Sequence, residues 1–150
     1  GAQVYQTFSM HFVRVEGNLE AFEKVQTMYM QKVAQNAVEK GDIAFWAFLR
    51  RIRMDNIDDE EIMNYLFIQS NKDITAMLSD KNRWWENASD VLTKAEQELV
   101  AALQQSYEWT ADHRHIFIDE VSIANGLGNY IQFNFIYISE NDHFRAVDLR

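Results

Sequence analysis

The sequence predicts an α+β domain of order β-α-β-β-α-β, with one extra strand near its C-terminus. Three observations carry that prediction. Residues 4–15 alternate between apolar and mixed positions, as a strand with one buried face does. Phe22, Val25, Tyr29, Val33 and Ala37 recur at steps of three and four, the spacing of an amphipathic helix. Both patterns then return, as two more apolar strands and a second helical stripe beginning at Trp85.

Each element has its own justification. In the first strand Phe8, Met10 and Phe12 share one face, and Thr7, Ser9 and His11 share the other. Gly17 and Asn18 supply a turn and an N-cap, with Glu20 in the first helical turn. Gly41 is placed to end that helix as a left-handed C-cap. Residues 43–52 form a second strand, with Phe45, Ala47 and Leu49 on one face and Trp46, Phe48 and Arg50 on the other. Both faces are largely apolar, so this strand is expected to be central. Residues 62–69 make a third strand, and residues 71–73 cap a short helix ending at Leu78.

The second long helix should run to about Tyr107, with Trp85, Ala88, Leu92, Ala95, Leu99 and Ala102 as its inward stripe. Phe22, Val25, Tyr29, Trp85, Leu92 and Leu99 are expected to be buried, and Glu39, Lys94 and Glu98 exposed. Strands at 115–123 and 130–139 follow, joined by a glycine-bearing turn at 125–129. This element order is ferredoxin-like: an antiparallel sheet with both helices on one face and the other face open.

The first strand has an echo. At one constant offset Tyr5 matches Tyr130, Phe8 matches Phe133, Met10 matches Phe135 and Phe12 matches Tyr137. Farther on, Ala21 matches Ala146, Phe22 matches Val147 and Glu23 matches Asp148. The expected organisation is therefore a domain over 1–139 and a tail over 140–150 that resembles the start of a second repeat.

Composition narrows the function. Hydrophobic residues make up 47% of the 150 positions, enough to offset the entropy of ordering a core. A net charge of -9 with no basic stripe argues against nucleic acid and against an anionic membrane surface as partners. With no Cys, thiolate catalysis and thiolate metal sites are excluded. The chain starts Gly1-Ala2-Gln3 without Met, and the first strand follows at once. That leans towards an exported or periplasmic protein after signal-peptide removal, with the cytoplasm as the alternative.

The first strand, the helix opening Asn18-Leu19-Glu20-Ala21-Phe22, Gly41 and the aromatic second strand resemble the dimeric α+β barrel superfamily, over about residues 4–123. That superfamily includes proteins similar to antibiotic-biosynthesis monooxygenases and related stress-response proteins. The resemblance implies a barrel built by pairing sheets. It leaves activity open between cofactor-free oxygenases, haem degraders, isomerases and proteins without known activity. Haem-degrading members resemble one another in using an Asn on the first strand, a Trp, and a His on the second long helix; Trp84 and Trp85 are present here. Here the first strand offers Ser9 and His11, and residues 86–107 contain no His. No cofactor is therefore expected.

Among side chains that could carry chemistry, His11 stands on the mixed strand face beside small hydroxyls. It is the candidate catalytic residue, as a general base; the alternative is a hydrogen-bonded interior histidine. Trp46, Phe48, Tyr65, Phe67 and Trp84 are the candidate ligand pocket for a flat molecule, or else simply core. Trp84 stands roughly 100° off the stripe that contains Trp85, so it is expected to face a pocket or a partner. His113 and His115 share a strand face and, with Asp112 and His11, are weak metal candidates; two ordinary imidazoles are the plainer reading. No metal is assigned. The carboxylates of residues 55–61 read as a solvated connection paired with Arg50, Arg51 and Arg53.

Two functions fit these features. One is a binding or structural module that self-associates as a homodimer through its open sheet face, with residues 130–139 at or near the interface. The other is a small cofactor-independent oxygenase or isomerase acting on a hydrophobic or aromatic ligand.

Overall fold

The computed structural model describes the backbone of residues 2–52, 63–110, 114–124, 133–139 and 143–149, and side chains within 7–52 and 63–110 apart from Lys81. Its strands are β1 (Ala2–Val13), β2 (Val15–Gly17), β3 (Phe45–Arg50), β4 (Tyr65–Asn71), β5 (Tyr107–Trp109), β6 (Arg114–Ala124), β7 (Phe133–Ser139) and β8 (His143–Leu149). Its α-helices are α1 (Leu19–Lys24), α2 (Gln31–Lys40), α3 (Ile74–Met77), α4 (Ala88–Val91) and α5 (Lys94–Gln104). A π-helical stretch, Val25–Met30, joins α1 to α2. Contacts divide the chain into two units, residues 5–121 and residues 1–4 with 122–150.

In the larger unit the sheet order is β3-β4-β1-β6, the ferredoxin-like order. β4 pairs antiparallel with both β1 and β3. Residues directly opposite one another share a face. One face therefore carries Thr7, Ser9, His11 and Val13 from β1, Tyr65, Phe67, Gln69 and Asn71 from β4, and Trp46, Phe48 and Arg50 from β3. The helices cover this face: Phe22 of α1 packs on Tyr65, Phe48 and Phe67. Phe8, Met10, Leu66 and Ile68 lie on the opposite face and are buried as well.

The helix ends follow their residues. The Asn18 side chain accepts from the Ala21 N–H at 3.1 Å, and Gly41 adopts φ 79° at the far end. Asp73 caps α3 through the Ala76 N–H at 2.7 Å. Phe22, Val25, Tyr29, Val33 and Ala37 are all buried. Glu39, Lys94 and Glu98 are exposed.

The second helical stripe departs from expectation. Residues 84–104 are three pieces: a 3₁₀ turn over Trp84–Asn87, the single turn α4, then α5 after a break where Leu92 is extended. Thr93 and Glu96 form a capping box that restarts the helix in a new phase. Consequently Trp84 is 5% exposed and Trp85 45%, the reverse of the predicted pair. Leu99, predicted inside, is 53% exposed, and Val100 and Leu103 pack on the core instead. Lys32 ties α2 to α5 through Glu96 at 2.6 Å. That hydrogen bond holds the Glu96 carboxyl below its usual range.

Three further expectations change. β3 is an edge strand and not a central one; apolar residues on both faces reflect helices on one side and a buried layer on the other. β7 pairs with β8, forming a separate two-stranded sheet. Residues 146–148, matched to a helix in the repeat reading, lie in β8. A seven-residue segment is too short to hold a helix by itself, and a hairpin ladder satisfies its backbone. The turn at 125–129 and the acidic residues 55–61 lie outside the described residues.

Candidate functional site

The helix-side face of the sheet reads as rows across β3, β4 and β1. Phe48, Phe67 and His11 form one row; Trp46, Gln69 and Ser9 form the next; Arg50, Tyr65 and Val13 flank the first on its other side. The candidates His11, Trp46, Phe48, Tyr65 and Phe67 thus share one face because each sits at an alternate position of its strand. Trp84 joins them from the helical layer, meeting Trp46 edge-on at 6.1 Å.

A residue absent from the sequence reading completes the cluster. β2 and β5 form a short antiparallel ribbon that pairs Val15 with Trp109. It brings the Trp109 indole 5.7 Å from Phe67 and 6.4 Å from His11, at interplanar angles of 16° and 22°. The His11 and Phe67 rings are 6.2 Å apart. Trp109 is 42% exposed, whereas His11, Phe48, Phe67 and Trp46 are half-buried. The signal was available: Tyr107 and Trp109 alternate around Glu108 just beyond the helix.

The ribbon is pinned at several points. Thr110 donates to the Arg14 carbonyl from its N–H at 2.9 Å and from its hydroxyl at 3.1 Å. The Asn18 N–H donates to the Ser106 carbonyl at 2.8 Å. Gly17 has φ 99°, and a Cβ there would stand 2.7 Å from the Ser106 oxygen. Only glycine fits that turn without strain.

Two polar groups of residues border the aromatic face. Gln69 accepts from the Trp84 indole N–H at 2.9 Å, donates to Asn71 at 2.9 Å and donates to Asn82. Asn71 in turn donates to the Asp42 carbonyl at 3.3 Å. At the other end the Tyr65 hydroxyl hydrogen-bonds Glu23, which pairs with Arg50 at 2.9 Å. Burial first, and then the Glu23 charge, push the Tyr65 pKa up to about 12.

Among the described residues no group of three or more His, Asp and Glu side chains is arranged to hold a metal ion. His113 and the side chain of His115 lie outside the described residues. Among those described, no helix is long and apolar enough to cross a membrane.

No family model matches the chain, and no curated protein matches it. A solved structure that resembles it is a mutant of SnoaB, a cofactor-independent oxygenase from Streptomyces nogalater. The two are 17% identical, and the match covers 85% of this chain and 97% of that one with a TM-score of 0.38. A likeness of that size carries no activity across, so function is argued from the residues above.

Proposed function

We propose that the chain is a binding module that takes a flat hydrophobic or aromatic molecule on the helix-side face of its sheet. One observation carries this reading: Trp109 lies nearly parallel to both Phe67 and His11 while remaining 42% exposed. A large apolar ring held in place at the rim of an aromatic face is a platform for stacking. Trp46, Phe48, Tyr65 and Phe67 extend the same surface inward, and Trp84 supports it. With a net charge of -9, the ligand is better neutral than anionic. The test is fluorescence titration with 1-naphthol. Trp109→Ala should weaken binding by about tenfold or more, the loss expected of a stacking anchor. Equal affinity in the variant and the parent would remove Trp109 from the site.

A second reading adds chemistry to the same surface. His11 faces the aromatic cluster, and its imidazole could take a proton from an acidic O–H or C–H of a stacked ligand. That step leaves a phenolate or carbanion on the ligand and a cationic imidazole on the protein. Both cofactor-independent oxygenation and isomerisation can begin this way. Activity should then fall in acid, because a protonated imidazole cannot accept the ligand's proton. A His11→Gln variant with an unchanged pH–rate profile would end the proposal.

Homodimerisation through the face opposite the helices remains part of the proposal, but with less surface to drive it. Phe8, Met10 and Ile68 are already 5%, 2% and 3% exposed within one chain. Light scattering at micromolar concentration tests it, and a monomer there would sink it.

A further inference from the structure

We infer that the Ser9 hydroxyl is the polar contact of this aromatic site, hydrogen-bonding an oxygen substituent on a flat, two-ring ligand. The inference deepens the aromatic-ligand reading above and rests on it.

It begins with burial along the strands. On the helix-side face, Thr7 and Val13 of β1 and Asn71 and Tyr65 of β4 are buried. Between them Ser9, His11, Gln69 and Phe67 are only half-buried, as are Trp46 and Phe48 of β3. At the same level on the opposite face Phe8, Met10, Ile68 and Ser70 are all buried. The helices therefore leave the middle of their own side of the sheet within reach of solvent, between two buried ends. That floor is two rows long and three strands wide, about 7 Å by 10 Å from ordinary strand spacing. Two fused six-membered rings have close to this footprint.

The two rows differ. The Trp109 indole lies nearly parallel to Phe67 and His11, so it stands against the row Phe48–Phe67–His11. A ring set beside the indole reaches the other row, Trp46–Gln69–Ser9. In that row Gln69 is committed: its carbonyl accepts from Trp84, and its two N–H groups go to Asn71 and Asn82. Trp46 can offer a donor only. The Ser9 hydroxyl has no hydrogen-bond partner among the described residues, so it keeps both a donor and an acceptor. A half-buried hydroxyl of this kind is hydrated, and a ligand oxygen can replace that water. Ser9 is two residues from His11 on the same face, about 7 Å away. Rings thus hold one end of the ligand and Ser9 fixes the other. A hydroxyl gives and takes hydrogen bonds without charge, which suits a phenol, enol or ring carbonyl.

The experiment compares 1-naphthol with 1-methylnaphthalene, of similar size but without the hydroxyl, by fluorescence titration of the full chain. The parent should prefer the naphthol about fivefold to tenfold, the usual worth of one hydrogen bond. Ser9→Ala should bind both probes alike, with its affinity for 1-methylnaphthalene unchanged. Its melting temperature should stay within about 2 °C of the parent's, because no protein partner is lost. A preference that persists in Ser9→Ala overturns the inference and passes the contact to another group of the site. So does equal affinity of the parent for the two probes, which leaves the aromatic site standing. A drop in melting temperature of about 5 °C or more in Ser9→Ala also overturns it, because it would assign the hydroxyl a structural partner. If neither probe binds the parent, the aromatic-site reading itself fails and takes this inference with it.

Discussion

The side-chain amide of Asn64 stands beside Val15 as a strand residue would. The Val15 N–H donates to Oδ1, and Nδ2 donates to the Val15 carbonyl, both at 2.9 Å. The Asn64 backbone N–H also donates to the Val13 carbonyl at 3.1 Å. These bonds carry the chain from β1 into β2 where the sheet pairing stops. Asn64→Ala would strip both groups of Val15 of their partners. Each unmatched group costs about 1–3 kcal/mol, so a urea melt should show a loss of about 2 kcal/mol or more. A loss below about 0.5 kcal/mol would mean that water replaces the amide freely.

The two adjacent tryptophans should respond very differently. Trp84 is enclosed and hydrogen-bonded to Gln69, so Trp84→Ala should cost about 3–5 kcal/mol. Trp85→Ala should cost under about 1 kcal/mol, as exposed substitutions generally do. The same contrast holds on α5, where Leu103→Ala should cost about 2 kcal/mol and Leu99→Ala under about 1. Denaturant melts of the four variants check the order, and a Leu99 effect larger than that of Leu103 would contradict the phase of α5.

Tyr65 gives a pH signature. Burial and the Glu23 charge push its pKa up to about 12 from the ordinary tyrosine value of 10.0, so folding favours the protonated phenol. The stability tied to that proton is complete below pH about 10 and is lost as the pH climbs towards about 12, for a total of roughly 2–3 kcal/mol. Absorbance titration of the phenolates should show Tyr65 ionising late, with Tyr107 also held above the ordinary tyrosine range by its burial. Glu23→Gln should bring the Tyr65 midpoint part of the way down, because the Glu23 charge adds to the larger effect of burial.

Gly17→Ala should both destabilise the fold and weaken the site. The new methyl would press on the Ser106 carbonyl from a backbone conformation that costs about 1–3 kcal/mol for a non-glycine residue. Relief requires β2 and β5 to separate, which shifts Trp109. Affinity for 1-naphthol should fall together with the melting temperature. Unchanged binding would show that Trp109 is held by its ring neighbours alone.

Much of this arrangement is visible in the chain because a strand's period of two survives folding. His11, Phe67 and Phe48 are each alternate-position residues, so their common face follows from pattern alone. Helical phase is more fragile. The stripe from Trp85 to Ala102 assumes one unbroken helix, and the stop at Leu92 defeats it. The Thr93–Glu96 spacing of a capping box was present in the sequence as a warning. Gln26 lies on the first helical stripe by the same spacing, four residues after Phe22 and three before Tyr29, and is buried with them. Trp109 escaped notice because a three-residue ribbon strand is too short to show a period. The central placement of β3 failed for a different reason: apolar residues on both faces report burial of the faces and say nothing about the edge.

The β2–β5 ribbon also sets an order in time. The hydrogen bond from Thr110 to Arg14 closes a span of 96 positions, whereas the one from Trp84 to Gln69 closes only 15. Long closures must lose chain entropy before any contact rewards them. The interior around Trp84 can therefore assemble while Trp109 is still unplaced, and a refolding molecule compacts before it is able to bind. Stopped-flow refolding of single-tryptophan variants should show the Trp84 signal leading and that of Trp109 trailing, with the capacity for 1-naphthol arriving only with the second.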